Sequence, residues 1–161
     1  MYIRKIVIEN YKCFKGVFEL DFENGVNIIV GDNEVGKSTI LEAIDLALSG
    51  IIRGRYLKTE ISQSLFNKNV VDTFLSEQQK GNKPELPHIL IELYFEIEDE
   101  STRALFEGTG NTKKINDCGI QLKIRLEDKW RAEYNTLFES EKLNSLPIEY
   151  YDFSWSTFAR D

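Results

Sequence analysis

The chain has 161 residues, 42% hydrophobic and 29% charged, which is the composition of a globular protein with room for one ordinary domain. Its net charge of −7 argues against a protein that coats nucleic acid with its whole surface. We find neither a membrane-spanning apolar run nor a signal pattern, nor a C-x-x-C pair, so we expect a cytoplasmic protein with no membrane partner and no disulfide framework or zinc site.

Three strands are predicted before residue 31. Residues 2–10 alternate polar and β-branched side chains, which predicts the first strand. Residues 17–22 place Phe18, Leu20 and Phe22 on one face, as expected of a half-buried strand antiparallel to the first. The Asn-Gly pair at 24–25 is a tight-turn signal, so residues 26–30 are predicted to form a third strand close by.

The next eight residues fit the pattern G-x-x-x-x-G-K-[ST], which is typical of a phosphate-binding loop between a strand and a helix. Glycines allow close backbone approach, so successive N–H groups can surround phosphate oxygens. In this interpretation Lys37 reaches the β- and γ-phosphates of ATP as the catalytic candidate, and the Ser38 hydroxyl holds Mg²⁺. The candidate nucleotide-binding residues are Gly31, Asp32, Asn33, Glu34, Val35, Gly36, Lys37, Ser38 and Thr39.

A helix is predicted after the loop, and Gly50 should cap its C-terminus. Glu42, Asp45 and Ser49 are expected to lie away from its apolar stripe, which we assign to Ile40, Leu41, Ile44, Ala47 and Leu48. We divide the chain, as a single domain, into a first part of strands and loop helix at 1–50, a helical and loop insert at 51–87, and antiparallel strands at 88–153.

The insert contains a weakly patterned loop and a second helix, for which Asn69 is the predicted N-cap. Arg53, Arg55 and Lys58 form a small basic cluster, which either contacts nucleic acid or nucleotide phosphate or is a solvated loop. Residues 81–87 contain a glycine and two prolines and predict an exposed loop.

The last part of the chain is predicted to be mainly antiparallel strands. Residues 89–97 alternate and predict a long strand with one buried face, after which Asp99 or Ser101 caps a short helix. Residues 120–126 predict another strand, with residues 130–134 as its hairpin partner, and residues 148–153 are a last strand candidate.

The first fifty residues resemble the N-terminal part of ABC-type ATPase heads shared by the SMC, RecF and OLD families. The residues that carry the resemblance are Ile6 to Phe14 and Phe22 to Ile44. The resemblance implies an α/β P-loop NTPase fold, here the N-terminal portion of an ABC-type head with a mixed or antiparallel sheet lobe. Asp32, Glu34 and Val35 replace the Pro and Gly-Ala usual in these loops and look most like the OLD type, many members of which act in nucleic-acid processing or phage defence.

The resemblance also implies parts that this sequence does not supply. Leu48-Ser49-Gly50 looks like half of an LSGG signature but closes a helix, and the segment 93–100 imitates a Walker B strand although Glu96 interrupts its apolar run. Walker B, signature and glutamine loop are therefore unassigned, and we expect the chain to be the first portion of a longer ATPase head. The family's turn also places a basic residue near phosphate, which makes Lys12 a candidate ATP contact, with a solvated lysine as the alternative.

The sequence thus predicts a portion of an ATPase that binds ATP and Mg²⁺ and acts in DNA processing, repair or phage defence. Hydrolysis would require the missing elements, and the resemblance implies head-to-head dimerisation and DNA as a further partner. Two alternatives stay open: a small P-loop kinase, and a nucleotide-gated interaction module that is inactive alone.

Overall fold

A computed structural model describes residues 1–32 and 36–160. Its main feature is a six-stranded antiparallel sheet in which three long strands, β1, β5 and β7, lie side by side. The outer strands are β2 beside β1, and β6 and β8 beside β7. A separate hairpin pairs β3 with β4. The strands are β1 Tyr2–Glu9, β2 Val17–Asp21, β3 Ile51–Ile52, β4 Arg55–Tyr56, β5 Ile89–Glu96, β6 Glu107–Gly108, β7 Asp117–Leu126 and β8 Tyr151–Thr157.

Helices contribute to one large hydrophobic core together with the inward side chains of the sheet. The first helix supplies Ile40, Ala43, Leu46 and Ala47, and the third supplies Val71 and Phe74. The helices are α1 Lys37–Ser49, α2 Leu57–Glu60, α3 Lys68–Gln79, α4 Glu100–Phe106 and α5 Arg131–Ser140. No helix in the described ranges is long and apolar enough to cross a membrane.

The central strand β5 is buried on both faces, which corrects the prediction of a single buried face. Its second face carries Glu92 and Tyr94, and both are fully buried. The Glu92 carboxylate accepts hydrogen bonds from the Tyr94 hydroxyl at 2.9 Å, from the Gln121 amide at 2.6 Å, and from the backbone and hydroxyl of Thr112. A buried carboxylate needs such donors because burial without them is costly, so the segment around Thr112 is held over this face.

Two other strand predictions were wrong. Residues 26–30, expected to be a third strand, form no strand in the described part of the chain, and their alternate side chains are exposed, at 90% for Val26, 80% for Ile28 and 83% for Val30. Residues 130–134 were expected to pair with β7 but instead end a 3₁₀ turn and begin α5, and β8 takes the position beside β7. Tyr134 and Phe138, one helical turn apart, contact each other with ring centroids 5.6 Å apart, which favours the helix.

Two helix starts were predicted to depend on caps. Asp99 caps α4, since its carboxylate accepts from the Thr102 backbone N–H at 2.8 Å. The cap of α3 is Asn67 and not Asn69, because the Asn67 side-chain oxygen accepts from the backbone N–H groups of Asn69 and Val70. The Asn67 amide also donates to the Lys12 carbonyl at 2.8 Å, so the cap joins α3 to the turn after β1.

This double role makes Asn67 a test of the fold. We expect Asn67→Ala to lower the free energy of unfolding by about 1–2 kcal/mol, since it removes a helix cap and a long-range hydrogen bond. Asn69→Ala, the matched control on the exposed first turn of α3, should change it by less than about 0.5 kcal/mol. Urea unfolding measures both, and equal losses would contradict the assignment of the cap.

Candidate functional site

The candidate site is built on the N-terminus of α1, which begins at Lys37. Its N-cap is Gly36, and no side chain within 1–32 and 36–160 caps this end by a hydrogen bond. Helical bonding begins with the Ile40 N–H, which donates to the Gly36 carbonyl at 2.9 Å. The N–H groups of residues 37–39 therefore have no acceptor within the helix, and they add to the positive end of its dipole. An anion at this point would accept hydrogen bonds from these N–H groups.

Gly36 is required at this position by two independent constraints. Its φ of +86° lies in the left-handed region, which a side chain disfavours. A Cβ at this position would also lie 2.8 Å from Cys13 Sγ and 2.9 Å from Phe14 Cζ. Phe14 in turn stacks on Phe18 of β2, with ring centroids 4.4 Å apart. The start of α1 is therefore packed directly against the turn that joins β1 and β2.

The structure places several of the predicted loop residues around this helix start. The Lys37 ammonium donates to the Gly31 carbonyl, which brings the two ends of the motif together. Asp32 and Ser38 are exposed, and Thr39 is half-buried. The remaining three predicted residues, Asn33, Glu34 and Val35, lie outside the described residues. The described part thus offers a cationic side chain, an exposed hydroxyl and backbone donors at one place.

Lys12 lies on the turn next to this helix, and its ammonium forms an ion pair with the Glu42 carboxylate. Tyr11 donates its hydroxyl to the same carboxylate. Burial opposes ionisation of Glu42, but the hydrogen bonds from Lys12 and Tyr11 outweigh it and lower the pKa of Glu42. Burial, followed by the bond to Glu42, raises the pKa of Tyr11. The candidate cation Lys12 is therefore held beside α1 by a carboxylate that stays ionised.

Sequence reasoning missed Glu42, which it assigned to the side of α1 away from the core. In the structure Leu41 and Leu48, assigned to the apolar stripe, are exposed, and Ala43 and Leu46 are buried in their place. The buried face of α1 is thus rotated relative to the prediction, and Glu42 faces the turn after β1. No local signal identifies the role, because its partner Tyr11 lies 31 residues earlier in the chain. Gly50 caps α1 as predicted, with its N–H donating to the Leu46 carbonyl at 2.9 Å.

The basic cluster of the insert does not converge on one place. Arg55 pairs with Glu60 at 3.4 Å and Lys58 with Asp152 at 3.8 Å. Arg53 lies near the Lys12 and Glu42 pair, and its charge further lowers the pKa of Glu42. Of the three cations, only Arg53 is thus connected to the surroundings of α1.

Known proteins are similar to this chain over most of its length. A family model described as an AAA domain matches residues 5–152. The chain is 44% identical over 156 residues to a DNA double-strand break repair Rad50 ATPase of Nanoarchaeum equitans, which covers 92% of this chain and 17% of that protein. It is 28% identical over 128 residues to the chromosome partition protein Smc of Fusobacterium nucleatum, which covers 76% of this chain and 10% of Smc.

A third relative is the DNA replication and repair protein RecF of Clostridium kluyveri, at 30% identity over 95 residues, 50% of this chain and 26% of RecF. The chain thus spans about a quarter or less of the length of these curated relatives. A solved structure from work on ATP-driven dimerization and DNA-stimulated activation of SMC ATPases aligns with a TM-score of 0.43 and 21% identity, covering 80% of this chain and 65% of the other.

The contact at the start of α1 generates a second prediction. Gly36→Ala and Gly54→Ala both place a side chain at positive φ, but a Cβ at Gly54 would meet nothing within 4 Å. We therefore expect Gly36→Ala to lower the free energy of unfolding by about 1–3 kcal/mol more than Gly54→Ala, because it alone forces Cys13 and Phe14 to move. Urea unfolding of the two variants measures the difference. Equal losses would show that the turn does not pack against α1.

Proposed function

The chain belongs to the AAA domain family and corresponds to the N-terminal part of an ABC-type ATPase head of the SMC, RecF and Rad50 class, and from this premise we propose that it binds ATP with Mg²⁺ at the start of α1. The observation that carries the proposal is the helix N-terminus at Gly36, which no described side chain caps and at which Lys37 supplies a cation. Such a terminus suits a phosphate because donors and dipole act in the same direction.

Each residue would have a separate part in holding the nucleotide. The N–H groups of residues 37–39 would donate to phosphate oxygens, and the Lys37 ammonium would leave the Gly31 carbonyl and neutralise phosphate charge. The exposed Ser38 hydroxyl would be a ligand of Mg²⁺, an ion that prefers oxygen donors and keeps several waters. When bound, the ion would supply charge neutralisation between the phosphates.

Lys12 would act from the adjacent turn. The Glu42 carboxylate holds its ammonium beside α1, and the Tyr11 hydroxyl donates to the same carboxylate. A bound phosphate would compete with Glu42 for the ammonium. In this proposal Glu42 orients Lys12 and does not itself contact the nucleotide.

We propose that the complete protein is an ATPase acting in DNA processing, and that heads pair and contact DNA there. Hydrolysis then depends on Walker B and signature elements that the sequence of this chain does not supply. The exposed Val26, Ile28 and Val30 immediately before the loop support a dependence on elements that this chain does not supply. An alternating apolar segment needs a neighbouring strand to become buried. A narrower assignment to the OLD type and to phage defence rests only on Asp32, Glu34 and Val35 of the loop.

The binding step is tested by Lys37→Ala. We expect this variant to lose at least tenfold in affinity for ATP with Mg²⁺, about 1.4 kcal/mol, since it removes the cation at the phosphates. Lys68→Ala is a matched control, because Lys68 is likewise the first residue of a helix and is exposed. Isothermal titration calorimetry measures both affinities. Unchanged binding in Lys37→Ala would overturn the nucleotide site.

Three further measurements separate the alternatives for turnover. Phosphate release measured on the 161-residue chain should be absent or slow, in line with a portion of a head that binds but does not hydrolyse. Transfer of the γ-phosphoryl group to a small nucleophile would instead favour the kinase. A change in oligomeric state with ATP, without phosphate release, would favour the nucleotide-gated module.

A further inference from the structure

A second concave site lies far from the loop in sequence. A cavity of about 410 Å³ is bounded by the loop before β5, by the end of β7 and by the start of α5. Three cationic side chains, Lys123, Arg125 and Arg131, line it, against one carboxylate, Glu85. Its volume is that of a pocket for a small molecule. A pocket of this size with an excess of positive charge favours an anionic ligand.

The charges in this cavity are not fully compensated. Burial lowers the pKa of Lys123, and the nearby charges of Arg125 and Lys114 lower it further, against the opposing effect of Glu92 and Glu9. Because like charges surround it, the Lys123 ammonium would be stabilised by an added anion. The cavity therefore has an electrostatic reason to bind one.

The two arginines share one carboxylate as their present counterion. Asp128 Oδ1 lies 3.0 Å from Arg131 Nη2, and Asp128 Oδ2 lies 3.5 Å from Arg125 Nη2. All three side chains are more than half exposed, and exposed ion pairs contribute little to stability. A phosphate, which accepts bidentate bonds from guanidinium groups, can therefore replace Asp128 at small cost.

The rest of the wall is mixed, since His88 lines it together with apolar side chains and Tyr134, whose hydroxyl is buried. Leu86, Leu126 and Tyr134 line the cavity beside the cations. Tyr134 is 6% exposed, and within the described ranges its hydroxyl has no hydrogen-bond partner. Such a hydroxyl is costly to bury unpaired. The cavity thus offers an apolar surface beside its cations.

We propose that this cavity binds a small phosphorylated molecule, with the phosphate on Arg125, Arg131 and Lys123 and an apolar portion against Leu86, Leu126 and Tyr134. A nucleic-acid strand is disfavoured because α5 also carries Glu133 and Glu139, and the whole chain has a charge of −7. An extended polyanion would meet these carboxylates, and a compact ligand would not.

The test uses phenyl phosphate as the probe, titrated into the 161-residue chain carrying Lys37→Ala, so that binding at the start of α1 contributes less. We expect phenyl phosphate to bind more tightly than inorganic phosphate, and phenol, which lacks the anion, not to bind. Titration calorimetry gives the affinities, and amide chemical shifts of residues 123–134 report the location. Equal affinity for inorganic phosphate would overturn the apolar part of the site.

Two substitutions should act in opposite directions. Arg131→Gln should weaken phenyl phosphate binding at least fivefold, because it removes a bidentate donor. Asp128→Asn should tighten binding about threefold, because it removes the competing carboxylate. Arg103→Gln is the matched control, since Arg103 of α4 pairs with Glu107 of β6 outside the cavity, and its loss should leave the affinity unchanged.

The outcomes separate the proposal from its rivals. Weakening by both Arg131→Gln and Asp128→Asn would indicate a structural role for the pair and would overturn the site. A 20-base-pair DNA duplex that binds through the same residues more tightly than phenyl phosphate would overturn the small-molecule assignment. Because the amide shifts of residues 123–134 and the Arg131 and Asp128 variants report on this cavity alone, failure here leaves the proposed ATP site untouched.

Discussion

Burial of β5 on both faces is the constraint from which the rest of the architecture follows. One face packs against the helices, including α1, so the position of the candidate ATP site depends on it. The other face carries Glu92, a carboxylate that must receive hydrogen bonds because it is fully buried. Its donors come from β5, β7 and the segment at Thr112, so a single charge connects three parts of the chain.

The segment after β8 covers the second face of β5. Phe158 packs edge-on against Tyr94, with ring centroids 4.9 Å apart, and fills the space above Gly119. A Cβ at Gly119 would lie 2.3 Å from the Phe158 ring and 2.4 Å from the Leu93 carbonyl. The second face of β5 is thus sealed by an aromatic contact and a glycine, and the first face is left free for the helices. The helices, including α1, therefore pack on a sheet whose other face is already covered. A preorganised site requires such support.

Local sequence patterns were sufficient to predict an element where a residue's partner lies nearby in sequence or where alternation decides the structure. The strands β1, β2, β5 and β7, the helix α1 and the caps Asp99 and Gly50 all follow from such signals. The errors occurred where a distant partner decides. Residues 26–30 have the apolar alternation of a strand, but a strand also needs a neighbour, and none lies beside them among the described residues. Residues 130–134 were predicted to pair with β7, but β8, later in the chain, takes that position.

In the candidate site, too, contacts between residues distant in sequence could not be predicted. Alternation and the motif identify Gly36 and Lys37, but the reason Gly36 tolerates no side chain is its contact with Cys13 and Phe14, more than twenty residues earlier. Likewise, Glu42 orients Lys12 through a contact that no local pattern reveals.

The two proposed anion sites bind phosphate by different physics, and this difference has consequences for selectivity. At the start of α1, fixed backbone donors and a helix dipole would act together, and no carboxylate of the described residues accepts from those donors, so geometry would select the ligand. In the cavity beside α5, exposed arginines must exchange Asp128 for the ligand, so charge and ionic strength select it. If both proposals hold, the chain would distinguish a nucleotide from another phosphate ester, because the α1 site would select by shape and the cavity by charge combined with an apolar portion.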